Sequence, residues 1–191
     1  MKNLKFFLCL ALCLSLSFAC TDLSEDLSGD LKSGHLGSSK DGDVKMVTVP
    51  FKAHFLGTYM PLGDKCATNV IVDGVGEGTH VGVSTVHFDF CILGASAGGD
   101  SIFYGNTFAY IVADNGDSLF ISVEGAVVTP PLEDHPDYVV NYWRDPFVIL
   151  GGTGRFEGAT GGGMSDDYNS TEDSYSHHHW EGTITMVKGK R

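Results

Sequence analysis

From Val44 onward, hydrophobic and polar residues alternate one by one. Val47, Val49, Phe51, Ala53 and Phe55 take one parity, and Thr48, Pro50, Lys52, His54 and Leu56 take the other. A period of two sends successive side chains to opposite faces, so the stretch predicts a half-buried β-strand. Pro50 has no N–H for a ladder bond and belongs at an edge or a bulge. The same reading predicts strands at 69–82, 84–92, 102–113, 118–129, 137–150, 159–168 and 175–187. In 84–92, Val86, Phe88, Phe90 and Ile92 share one face, opposite His87, Asp89 and Cys91.

The connections fit that reading. Asn115-Gly116 favours positive φ and predicts a hairpin between the fourth and fifth strands. Asp145-Pro146 interrupts the sixth. No window carries a sustained helical stripe. The fold class is therefore all-β, and eight antiparallel strands can close a calycin-like β-barrel, which abolishes exposed edges. A two-layered sandwich is the alternative, because strand number does not separate the two.

The first residues follow a different pattern. Lys2 and Lys5 precede the apolar run Phe6 to Phe18, which is too short to span a bilayer as a helix but suits a signal peptide over 1–19. Ser17-Phe18-Ala19-Cys20 resembles the lipobox of bacterial lipoproteins, with Ser17 where Leu is usual and Leu16 one step away. The resemblance implies lipid attachment at Cys20; plain secretion is the alternative. Acylation would anchor the protein to a membrane of the bacterial cell envelope, as an outer-membrane lipoprotein facing the periplasm or the surface. Cys9 and Cys13 leave with the signal, so acylating Cys20 also removes the odd thiol from an exported chain. Cys66 and Cys91 are then a possible disulfide, or else two small buried apolar side chains. Residues 20–43 read as the lipidated Cys and a disordered acidic tether, leaving 44–191 as the barrel domain. The acidic residues after Cys20 also resemble signals that send some lipoproteins to the cell surface.

Charge narrows the partners. Twelve basic residues against 24 acidic ones give a net charge of -12. Such a surface repels phosphate backbones, so nucleic acid is excluded as a partner.

GGTGRFEGATG, residues 151–161, poses the question of a phosphate loop. No Lys-Ser/Thr pair completes a P-loop, and Gly158 comes one position too late for the dinucleotide fingerprint. The following ATGGGMSDDYNS would not open a helix. The glycines turn the chain between two strands, Phe156 caps the core, and Arg155 and Glu157 face water.

This stretch resembles the G-T-G-x-F-x-x-A-x-G block of the allene oxide cyclase and dirigent proteins, through Gly152, Thr153, Gly154, Phe156, Ala159 and Gly161. GEGTHVGVST (76–85) and ADNGDSLFISVEG (113–125) resemble segments of uncharacterised exported bacterial relatives of that group. The resemblance implies an eight-stranded antiparallel barrel around a cavity. It further implies a hydrophobic or phenolic small molecule and no cofactor. The matched positions form a structural turn, and no catalytic residue carries over.

Other residues could carry chemistry. His177 and His179 project to one face with Glu181, a spacing that can chelate zinc or copper if His54 or His87 adds a third ligand. An exposed polar strand face is the plainer explanation, and no metal is expected. Glu77 and His80 could pair across a bulge, and His87 and Asp89 along a strand. The acidic run 166–173 could offer oxygens to calcium but lacks EF-hand spacing. His80, Tyr138 and Tyr142 are the candidate pocket residues, since Tyr138, Val140 and Tyr142 alternate opposite Val139, Asn141 and Trp143. The reading that results is an envelope lipoprotein whose barrel binds a small hydrophobic or aromatic ligand or serves as an interaction module. A cofactor-free isomerase or cyclase and a surface protein with a filled barrel are the alternatives. Aromatic lining with buried ionisable groups would favour the enzyme.

Overall fold

The protein is described by a computed structural model over residues 44–63 and 65–190. The signal peptide at 1–19, Cys20 and the tether to residue 43 lie outside the described residues. Eleven strands follow: β1 (Met46–Leu62), β2 (Asn69–Gly78), β3 (Gly82–Ala95), β4 (Ser101–Val112), β5 (Ser118–Val123), β6 (Gly125–Val128), β7 (Val139–Trp143), β8 (Pro146–Gly152), β9 (Thr160–Ser165), β10 (Asp167–Ser170) and β11 (Ser176–Val187).

All the pairings are antiparallel. Eight of the strands form a ring in the order β1-β2-β3-β4-β5-β8-β9-β11, and β11 pairs back onto β1 from Met46 opposite Val187 to Gly57 opposite Ser176. That return pairing makes the sheet a closed barrel and rules out the sandwich. The remaining three strands continue the wall at one end, in the order β4-β6-β7-β10-β11. Glu124 alone separates β5 from β6, Arg144 and Asp145 separate β7 from β8, and Asp166 separates β9 from β10. The protein is thus an eight-stranded antiparallel β-barrel in which three strands break near one end. The runs 118–129 and 159–168 were each expected as one continuous strand, whereas the interruption expected in 137–150 at Asp145-Pro146 is present, with β8 starting at Pro146. All three runs switch neighbours at their breaks, between the upper ring and the lower wall.

Alternation sorts the interior as expected for β1, where Phe51, Ala53 and Phe55 are buried. Pro50 sits at a local edge: β1 meets β2 only from Ala53 onward, and the Pro50 carbonyl accepts instead from His80 Nε2 at 3.1 Å. The second strand stops at Gly78 rather than Gly82, because residues 79–81 make the turn into β3.

The glycine-rich stretch links β8 to β9 through a single 3-10 turn, Gly154–Phe156. Gly154 has a φ of +52°, which a glycine adopts without strain. Thr153 fastens the turn to β5, its Oγ1 accepting from the Ser118 amide at 2.8 Å. Phe156 and Ala159 are buried and plug this end of the barrel. Arg155 does not simply face water. Its guanidinium lies 5.3 Å from the centre of the Phe156 ring, while Glu157 reaches the surface and pairs with Lys190 at 2.7 Å. Cys66 and Cys91 are joined by a disulfide, with Cα atoms 6.2 Å apart, tying the β1–β2 loop to β3.

Candidate functional site

At the end away from Phe156 the barrel is not filled. A cavity of about 250 Å³ lies between the starts of β2, β4 and β11, the end of β3, and β6, β7 and β10. Its walls are mainly apolar and aromatic: Val70, Val72, Phe88, Phe90, Val127 and Trp143. It reaches the surface beside Tyr59 and Ile102, both of which line it and are exposed. An apolar protein cavity of about 150 Å³ can hold benzene, so this volume suits a molecule of one or two rings.

One wall is polar. Parity along β11 sends Ser176, His178 and Trp180 inward, and β10 contributes Asp167 and Asn169. Asp167 Oδ2 lies 3.0 Å from His178 Nδ1 and accepts from Trp180 Nε1 at 3.2 Å. Asp167 Oδ1 accepts the His179 backbone amide at 2.9 Å. A carboxylate only accepts, so His178 Nδ1 carries a proton and Nε2 faces Ser176 Oγ at 2.9 Å. The Ser176 hydroxyl also reaches the Gly57 carbonyl at 3.2 Å. Asp167, His178 and Ser176 are 2%, 5% and 3% exposed, so the chain of hydrogen bonds is shielded from bulk water. Phe88 stacks on the His178 imidazole at 5.3 Å and Trp143 meets it edge-on at 5.7 Å. Gly57 makes room for this group, since a Cβ there would lie 2.8 Å from Ser176 Oγ and 2.6 Å from Val72 Cγ1.

A hydrogen-bonded tyrosine and carboxylate adjoin this chain of hydrogen bonds. Tyr104 donates its hydroxyl to Asp145 Oδ2 at 2.8 Å. Burial, and then the charges of Asp145 and Asp167, push the Tyr104 phenol far above its ordinary range. Burial raises the Asp145 carboxyl as well, against the Tyr104 hydrogen bond, which lowers it. Two lining atoms are left over: Thr107 Oγ1 and Asn169 Oδ1 are buried without a hydrogen-bond partner. An unmet buried polar atom costs about 1–3 kcal/mol, and a polar group on an occupant would relieve it.

The residues singled out from sequence lie elsewhere. His80 does not line the cavity; it occupies the β2–β3 turn at a φ of +67°. Tyr138 and Tyr142 also miss it, lining an open outer groove with His135, Arg144 and Tyr168. The aromatic of that segment that does face inward is Trp143, on the opposite parity from Tyr142. His87 bonds not to Asp89 but to Asp73 on β2, at 2.7 Å. The acidic run does not form one oxygen-rich loop, because Asp167 is buried and Asp166 pairs with Arg144 at 2.6 Å. His177 and His179 stand outside the barrel, beside His54. Burial, then the neighbouring His54 imidazole, holds the His179 imidazole below its ordinary value.

His178 and Ser176 were not expected at a site, and Asp167 only within the acidic run 166–173. The signal was present: Trp180, Ile184 and Met186 mark one parity of β11, and Ser176 and His178 share it. Asp167 had no such signal, since the positions that share its parity in β9, Gly161, Gly163 and Ser165, carry no apolar side chain to mark the inner face.

No family model matches the chain, and no curated protein matches it either. Among solved structures, the barrel is similar to the pterocarpan synthase dirigent protein GePTS1, at 12% identity and a TM-score of 0.48. That match covers 77% of this chain and 89% of the other. It is also similar to a conserved protein of unknown function from Rhodopseudomonas palustris, at 12% identity and a TM-score of 0.41, covering 74% of this chain and 97% of the other. Each likeness is one of fold alone.

Proposed function

We propose that the barrel binds a small, mainly apolar or aromatic molecule that carries a hydrogen-bonding group. The observation that carries this reading is the unfilled end of the barrel, where apolar and aromatic walls surround two buried polar atoms with no partner. The rings occupy the space between Phe88, Phe90 and Val127, and the polar group meets Thr107, Asn169 or Ser176. The test is native mass spectrometry of the protein taken from its own envelope. A small added mass is expected on the wild type and is lost from Val127→Phe, which fills the cavity. A bare wild-type mass in repeated preparations would overturn the reading.

A second reading has its own support in the Asp167–His178–Ser176 chain. A hydrogen-bonded imidazole in a shielded cavity can take a proton from an occupant and return it elsewhere, which is enough for an isomerisation or cyclisation without a cofactor. His178→Gln keeps the shape but not the proton transfer. Ligand binding with turnover abolished supports this reading, and unchanged turnover removes it.

The anchoring of the molecule belongs to the same proposal. Acylation of Cys20 and the acidic 20–43 segment would hold the barrel at an envelope membrane, where apolar small molecules partition. Cys20→Ser should move the protein from the membrane to the soluble fraction. Full membrane association of that variant contradicts it.

A further inference from the structure

We infer that His54, His177 and His179 form a binding site for a late first-row divalent metal ion on the outer face of the barrel, across the junction of its first and last strands. One ligand atom from each imidazole lies within 4.8 Å of the other two. The register creates this meeting. His54 of β1 stands directly opposite His179 of β11, their ring centres 4.4 Å apart, and His177 lies two residues along β11 on the same face. Zn–N bonds of about 2.0–2.1 Å separate tetrahedral ligands by about 3.3–3.4 Å, so the three donors need only a short approach to close on an ion.

The surroundings are arranged for imidazole ligands. Tyr168 stacks on the His177 ring at 4.6 Å, nearly parallel at 6°, and lies 6.0 Å from the His179 ring at 13°. Those contacts fix the planes of both rings. Asp173 Oδ2 is 3.1 Å from His177 Nε2, placing a carboxylate at the rim, where it balances the charge of a bound cation. Three nitrogen donors suit zinc, copper or nickel, whereas calcium and magnesium prefer oxygen. The fourth position faces outward, toward the open grooves on either side of His179.

The site is independent of the cavity ligand but adjoins its wall. The His179 amide holds Asp167, and His178 lies between the two proposed β11 ligands. A metal bound there ties together two strands that are far apart in sequence and fixes the backbone that carries the polar wall.

The experiment titrates the full chain with ZnCl2 by calorimetry and follows thermal unfolding with and without the metal. One zinc ion per chain is expected, with a rise in melting temperature that calcium does not reproduce. His54→Ala and His179→Ala should each weaken binding at least about tenfold, since even outer partners of a metal site contribute that much. His87→Ala, an outward histidine on β3 bonded to Asp73, should leave it unchanged. Cobalt(II) should give the visible spectrum of a tetrahedral site. Absence of saturable binding, binding retained in His54→Ala, or an equal loss in His87→Ala would each overturn the proposal.

Discussion

The two ends of the barrel use the same strands to opposite effect. At the β8–β9 end, Phe51, Phe147, Phe156, Leu119, Ile121 and Ile184 are all but fully buried and fill the interior. At the other end Phe90, Ile92, Val127 and Trp143 are only partly buried, and the space between them stays open. The breaks at Glu124, Arg144–Asp145 and Asp166 mark the change, since beyond them the wall is completed by β6, β7 and β10. Trp180 stands at the boundary, stacked on Phe147 at 5.1 Å on one side and donating to Asp167 on the other. One end supplies stability by close packing. The other gives up packing and keeps buried polar atoms, an arrangement expected where a site must receive something.

Substitution should separate the ends most sharply. Phe156→Ala leaves a cavity in a filled core and should cost about 3–5 kcal/mol in denaturant unfolding. Phe90→Ala, which only enlarges existing space, should cost less than half as much. Equal losses at the two positions would erase the distinction. Next in size is the tie between the β1–β2 loop and β3. Cys66→Ser with Cys91→Ser opens a loop with a sequence separation of 25 residues and should cost about 3 kcal/mol in the same assay.

Two smaller effects bear on the polar wall. Thr107→Val replaces an unpartnered hydroxyl with a methyl of like shape, so the free protein should be as stable as the wild type, or up to about 1 kcal/mol more stable. The same variant should bind the cavity ligand more weakly, a combination that a merely structural threonine would not show. The smallest effect is one of pH. Asp145, raised above its ordinary 3.8, holds its proton to higher pH when folded than when unfolded. The folded state therefore binds more protons in the window just above that value, and stability from this group falls as pH rises through it. Asp145→Asn removes that slope, so the variant should gain on the wild type as pH rises out of the window. Parallel stability curves for the two proteins would show that Asp145 is not strained by burial.

Much of the barrel was legible because a period of two carries its own address. Phe51, Ala53 and Phe55 announced the inner face of β1, and Asn115-Gly116 marked a turn whose Gly116 has a φ of +87°. Closure was not legible from any one strand, since it depends on β1 and β11 meeting in register. Nor were the breaks at Glu124 and Asp166, because they follow from a change of neighbours rather than from a residue that forbids extension; the break before Pro146 was legible, since proline has no N–H for the ladder. The site was the least legible part. Parity alone could have placed His178 beside Trp180, but the triplet His177-His178-His179 drew attention to its two outward members. Asp167 and Asn169 keep the parity of the buried Ser165, but Gly161, Gly163 and Ser165 carry no apolar side chain that would mark that parity as the inner one. The aromatic pair Tyr138 and Tyr142 misled for the opposite reason, since both parities there carry large rings and only the fold decides which one faces in.

The most direct test of the unfilled end is a crystal structure of the protein soaked with 2-naphthol, a two-ring probe with one hydroxyl. The rings should lie among Phe88, Phe90 and Val127, with the hydroxyl within about 3 Å of Thr107, Asn169 or Ser176. An interior closed by side chains, or naphthol bound only outside the barrel, would contradict the account.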